Sequence, residues 1–175
     1  MEGSEDSGTL PARIGEEGMV RLSHIAEDGS ARMVDVSAKE ATARMARAVG
    51  HVSLSETARR LVEEQALPKG DVLTVAQVAG ILAAKRCGEL IPLCHPLPLT
   101  DVAISLRPDD TGIAIEATAR CIGPTGVKME ALTAVSVAAL TIHDMCKAID
   151  KTIVIDGIRV VEKAGGRSGH WRADR

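Results

Sequence analysis

The chain of 175 residues contains no phenylalanine and no tyrosine, and Trp171 is its only tryptophan. Bases of single-stranded nucleic acid bind by stacking on aromatic side chains, so that mode is excluded. Cationic excess is missing too. Against 24 Asp and Glu stand 21 Lys and Arg, a formal charge of −3, so the broad basic footprint of a duplex-binding protein is lacking. No apolar run approaches the 18 residues of a membrane span, since the longest, Ala134 to Ile142, is broken by Ser136 and Thr141. The four cysteines, at 87, 94, 121 and 146, form no CxxC and no zinc spacing, and read as reduced, mostly buried thiols of a cytoplasmic protein. The first 18 residues have neither a basic leader nor an apolar segment, and carry five acidic side chains against Arg13 alone. They are expected to form a flexible acidic tail.

The chain as a whole is 45% hydrophobic, enough for one domain whose core must be built from Ala, Val, Leu, Ile and Met. Residues 33 to 37 (MVDVS) show β-branched alternation, and Thr42 to Ser53 fits a strand or a helix by pattern alone, with strand the preferred reading. Ser55 opens a one-face helix through SETARRLVEEQAL, which the turn at Pro68, Lys69, Gly70 and Asp71 ends. Val72 to Cys87 is apolar nearly all round, a buried helix on which Gly80 favours close packing. IPLCHPLPLT, with three prolines in seven residues, must be an ordered loop. Asp101 to Arg107 and Ile113 to Cys121 alternate on either side of a Pro, Asp and Gly turn, the pattern of an antiparallel hairpin. Val127 to Asp150 predicts the longest helix, and Ile153 to Glu162 a last strand with Gly157 as a bulge or turn. The end, after Lys163, reads as a flexible basic tail. The order implies a single α+β domain over 19–163, a ferredoxin-like antiparallel sheet with helices packed on one face.

Four places hold polar groups that bland structure does not ask for, and each has two readings. Lys69 in its glycine turn is a solvated lysine or a site cation. His95, beside Cys94 in the rigid loop, is a satisfied core histidine or a proton shuttle. Asp144 and Lys147, three residues apart on the long helix, form a surface ion pair or an acid and base tuned by each other. Lys163 and Arg167, flanking a glycine pair, belong to a loose tail or clamp an anion. Glu130 precedes Asp144 by fourteen residues, about 21 Å along a helix. One subunit cannot bring both to one small group, so they serve a long substrate or sites shared between subunits.

These words occur together and in order: MVDVSAK, PKGDV, AGILAAKR, LIPLCHPL, GVKMEALTAVSVAALTIHDMCKA and KAGGRSG. In that combination, over about residues 20 to 171, the chain closely resembles the MoaC family, the cyclic pyranopterin monophosphate synthases of molybdenum cofactor biosynthesis. The resemblance implies a lyase that converts 3′,8-cyclo-7,8-dihydroguanosine 5′-triphosphate to cyclic pyranopterin monophosphate and pyrophosphate. It implies catalytic roles for Asp144, Lys147 and Lys69, with His95 positioning or shuttling protons. It further implies substrate binding by Leu93, Cys94, His95, Met129 and Glu130, with Lys163 and Arg167 near the triphosphate. No redox cofactor and no resident metal are expected, with Mg²⁺ left open as companion of the triphosphate. The partners implied are the nucleotide-derived substrate and other copies of the chain, as a hexamer built from dimers with sites at subunit contacts. In one place the chain departs from the family: Lys128 stands where the family has the first glutamate of GVEMEAL. That charge reversal keeps open an alternative, a catalytically weak homologue that binds nucleotide or serves assembly.

Overall fold

A computed structural model describes residues 29–173. The chain divides into two units, residues 1–34 and residues 35–175, and the sheet with its helices belongs to the second. The expected acidic tail of residues 1–18 lies outside the described residues.

Among the described residues, five strands form one antiparallel sheet in the order β2-β3-β1-β4-β5. β1 is Thr42–Ser53, β2 Leu99–Pro108, β3 Gly112–Gly123, β4 Val154–Ala164 and β5 Trp171–Arg172. Between β1 and β2 come α1 (Glu56–Glu63), α2 (Val72–Lys85) and the single turn α3 (Cys87–Leu90); α4 (Lys128–Cys146) joins β3 to β4. The first four strands with their two helical crossovers make the expected ferredoxin-like α+β arrangement, and β5 is added at one edge.

Alternation explains which face is covered. Along β3, Ile113, Ile115, Ala117, Ala119 and Cys121 are buried while Glu116, Arg120 and Ile122 lie on the other face. α4 packs across β1, β3 and β4, and α2 packs on α4 and β2. Ala131, Ala134, Val135, Ala138, Ala139 and Ile142 of α4 are wholly buried. Apolar enough over its 19 residues to cross a membrane by length and composition, α4 is here the core helix. Small residues bring the two long helices together: a Cβ at Gly80 would sit 2.8 Å from the Ala134 carbonyl oxygen and 2.6 Å from Ile104 Cδ1.

Most predicted elements are present, and the differences have local causes. The MVDVS alternation makes no strand, because Asp35 Oδ1 accepts from the amide and hydroxyl of Ser37 (2.9 and 2.7 Å) and bends the chain into a turn. The proline loop is shorter than read, since Leu99 and Thr100 already belong to β2. α4 stops at Cys146 rather than Asp150. Residues 147–149 form a turn, and the Asp150 carboxylate is drawn across to the start of α1. The expected loose basic tail is instead folded as far as Ala173. Gly165, Gly166 and Gly169 take φ values of +92°, +73° and +59°, which reverse the chain so that Trp171 pairs with Lys163 and Arg172 with Glu162. The folded domain therefore runs past the boundary expected at 163 and takes in the added strand. Gly157, at φ +62°, sits at a register shift between β1 and β4, the predicted bulge.

Candidate active site

Lys69 is positioned from both sides. Ser55 caps α1, Leu67 is buried, the Gly70 amide returns to the Leu67 carbonyl (3.0 Å), and Asp71 caps α2 by accepting from the Thr74 amide (3.0 Å). The turn between these anchors points Lys69 at the last turn of α4. Its Nζ donates to Asp144 Oδ2 (2.9 Å) and to the Asp144 carbonyl (2.8 Å). Lys147 Nζ donates to Asp144 Oδ1 at 2.6 Å. Each carboxylate oxygen thus faces its own ammonium. The hydrogen bonds from Lys147 and then Lys69, with their charges behind them, hold the Asp144 carboxyl down at about 2. All three side chains are about half exposed, where ion pairs contribute little to stability. Ionised, hydrogen-bonded and open to solvent, the trio can clamp an anionic substrate and exchange protons with it.

At the other end of α4 the chemistry is reversed. Glu130, in the first turn, is 3% exposed, and its Oε2 is sealed from solvent without a hydrogen-bond partner. Burial pushes its carboxyl up, and its side-chain neighbour is the Cys87 thiol. Cys87 accepts from the Thr133 hydroxyl (3.5 Å) and is raised to about 12, by burial first. Cys94 lies within reach of Cys87 and is raised for the same reason. The loop bearing Leu93, Cys94 and His95, all half-buried, packs so tightly on α3 that a Cβ at Gly88 would lie 3.2 Å from Pro96 Cα. Met129 is half-buried beside Glu130.

Of the four residues to which the resemblance gives catalytic roles, one chain brings together Lys69, Asp144 and Lys147. The loop of His95 sits with Glu130 at the opposite end of α4, and the fourteen residues between Glu130 and Asp144 span about 21 Å.

A third feature is an open pocket of about 830 Å³, lined by Lys39, Thr42, Arg44, Thr125, Gly126, Gly166, Arg167 and Ser168, with Glu40 its acidic member. Arg44 is held by its Nε to the Gly123 carbonyl (3.2 Å) and by a terminal nitrogen to the Pro124 carbonyl (3.3 Å). Gly166 lies against that guanidinium so closely that a Cβ there would collide with it. Lys163 contacts the Ser168 hydroxyl at the rim. Sequence reasoning found Lys163 and Arg167 but missed Lys39 and Arg44. Lys39 closes the MVDVSAK word, and Arg44 is an arginine on a strand, a charge whose face only the pairing with β3 reveals.

All four cysteines are free. Among the described residues, no three His, Cys, Asp or Glu side chains gather as a metal centre.

Comparison with known proteins points one way. The family model described as "MoaC family" matches residues 33–166. A Chloroflexus aggregans protein named cyclic pyranopterin monophosphate synthase is 58% identical over 156 residues, which is 88% of this chain and 94% of that protein. One of the same name from Thermomicrobium roseum is 57% identical over 158 residues, 89% of this chain and 95% of its own. A third, from Streptomyces coelicolor, is 52% identical over 161 residues, 92% of this chain and 95% of its own.

Proposed function

The chain belongs to the MoaC family, and on that premise we propose that it is a cyclic pyranopterin monophosphate synthase. This lyase converts 3′,8-cyclo-7,8-dihydroguanosine 5′-triphosphate to cyclic pyranopterin monophosphate and pyrophosphate. The observation that carries the reading is the Asp144 carboxylate held between the ammonium groups of Lys69 and Lys147.

The reaction opens an imidazole ring, builds a pterin ring and closes a cyclic phosphate. Each step moves protons, and none changes the overall oxidation state. In this reading Lys147 and Asp144 donate and accept protons at the base-derived ring, and Lys69 neutralises developing charge. The basic pocket of Lys39, Arg44 and Arg167 takes the polyphosphate, with Lys163 at its rim. Mg²⁺ enters, where it takes part, as the companion of the triphosphate, and the enzyme needs no redox cofactor. His95, Cys94, Leu93, Met129 and Glu130 complete the substrate site from a neighbouring copy, because α4 separates them from Asp144 in their own chain. The assembly is a cytoplasmic homohexamer of dimers, for which Val75, Val78 and Leu82, exposed along one side of α2, supply apolar surface.

The test is pyrophosphate release and pterin formation from the cyclic dihydro-GTP substrate. Turnover that disappears in Asp144→Ala supports the synthase. Binding without turnover overturns it, and turnover regained in Lys128→Glu would then assign the loss to that one exposed charge at the start of α4.

A further inference from the structure

Asp150 is a carboxylate with 4% exposure, six residues beyond Asp144 and three beyond Lys147. Its Oδ2 accepts from the Ser55 amide at 2.6 Å, while Oδ1 accepts from the amide and hydroxyl of Thr152 at 2.8 and 2.7 Å. Its own amide donates to the carbonyl of Cys146 (3.0 Å), the last residue of α4. Ser55 is in turn the cap of α1, its hydroxyl accepting from the Ala58 amide (3.3 Å). From α1 the chain runs through buried Leu67 into the turn of Lys69, and Lys69 reaches back to Asp144. These contacts close a ring: Asp144 to Asp150 along the chain, Asp150 to Ser55 by hydrogen bond, Ser55 to Lys69 through α1, and Lys69 to Asp144 by ion pair.

The ring has two noncovalent joints of unequal strength. The joint between Lys69 and Asp144 is open to solvent and weak on its own. The joint at Asp150 is buried and charge-assisted, so it is the stronger. We propose that Asp150 is a positioning residue for the site, clamping the exit of α4 to the head of α1 and thereby holding Asp144 and Lys147 in register with Lys69. Cys146, buried at the end of α4, accepts from the Asp150 amide through its carbonyl, so the clamp begins two residues beyond Asp144. The charged groups facing Asp144 are Lys147 from the turn that ends α4 and Lys69 from the turn before α2. Asp150 is turned instead toward Ser55 and Thr152, so its effect on Asp144 travels through geometry.

The test uses the full chain as Asp150→Asn and Thr152→Val, with Asp109→Asn as a control that loosens the β2–β3 turn elsewhere in the fold. Two quantities are read. The first is the titration midpoint of the Asp144 carboxyl by carbon NMR, and the second is kcat and KM for the synthase reaction. With the clamp loosened, the Asp144 midpoint rises by about one unit from its low value toward that of an ordinary aspartate. kcat falls about 10- to 100-fold with a smaller change in KM, the scale of a misplacement near 1 Å. Thr152→Val moves both in the same direction by less and serves alone should Asp150→Asn not fold. Asp109→Asn lowers Tm and moves neither. The proposal is overturned if the clamp variants lower Tm like the control while leaving the Asp144 midpoint in place. The activity arm rests on the synthase function, whereas the titration arm does not. An inactive wild type with a responsive midpoint therefore condemns the synthase and keeps the clamp.

Discussion

The two ends of α4 carry a carboxyl each, and the protein treats them oppositely. At the C-terminal end two ammonium groups reach Asp144 in open solvent and hold it ionised far below the usual range. At the N-terminal end burial pushes Glu130 up, among thiols and a hydroxyl, without an ion pair among the described residues. The helix itself favours the reverse, since its positive end lies beside Glu130 and its negative end beside Asp144. Local partners and solvent exposure therefore outweigh the helix dipole at both ends. A carboxylate's role is legible from who faces it, not from where it sits on a helix.

The comparison is broken most severely at the exposed end. Asp144→Ala is expected to cut kcat by about 10²- to 10⁴-fold, the contribution of a positioned proton-transfer group, with little loss of Tm because the side chain is about half exposed. A kinetic assay and a melting curve of the variant beside the wild type measure the two effects.

Next in size is damage to the rod that joins the ends. Gly80→Val drives side-chain atoms into the Ala134 carbonyl and Ile104, and costs about 1–3 kcal/mol of stability by overpacking. Urea unfolding of the variant measures it.

The buried end should show itself in the pH dependence of stability. Glu130 has its carboxyl raised above the unfolded value of 4.5, so the unfolded chain loses this proton first. Its contribution is fully present below that value and is lost as pH rises through the folded one. Glu130→Gln, neutral at every pH, removes that decline, and Tm of wild type and variant measured from pH 4 upward should diverge as pH rises. Asp109 supplies the opposite sign. The backbone amide of Thr111 first, then its hydroxyl, lower it to about 2 from 3.8, so its stabilisation is present above 3.8 and lost as pH falls through 2. Asp109→Asn flattens the acid limb alone.

The smallest effect belongs to the basic pocket. Arg167→Ala should raise KM for the triphosphate about fivefold, the scale of one solvent-exposed charge pair, and less at high salt.

Much of the fold was readable from the chain. Period-two alternation gave β2 and β3 because one face of each is buried and the other is not, and the all-round apolar character of α2 and α4 marked them as core. Asp144 and Lys147 stood out as charges interrupting such a surface, and Lys69 as a cation in a tight glycine turn. The proline count gave the Cys94–His95 loop. What stayed hidden depends on partners distant in sequence. Ser55 and Asp150 are 95 residues apart and look unrelated until folded. Arg44 joins the pocket through carbonyls some 80 residues away. The last strand was masked because a run of Gly, Ser and charged residues is also what a loose tail looks like, and only positive φ at three glycines turns it back.

The return of that last strand has an optical consequence. Trp171 pairs with Lys163 across the glycine turn that contributes Gly166, Arg167 and Ser168 to the pocket wall, and it is 45% exposed. With no tyrosine or phenylalanine anywhere in the chain, ultraviolet emission comes from this one indole. The protein thus carries a single native fluorophore on the strand next to the turn that lines the basic pocket, and adding pyrophosphate to the unlabelled chain turns anion capture into a change of colour or brightness with no background to subtract.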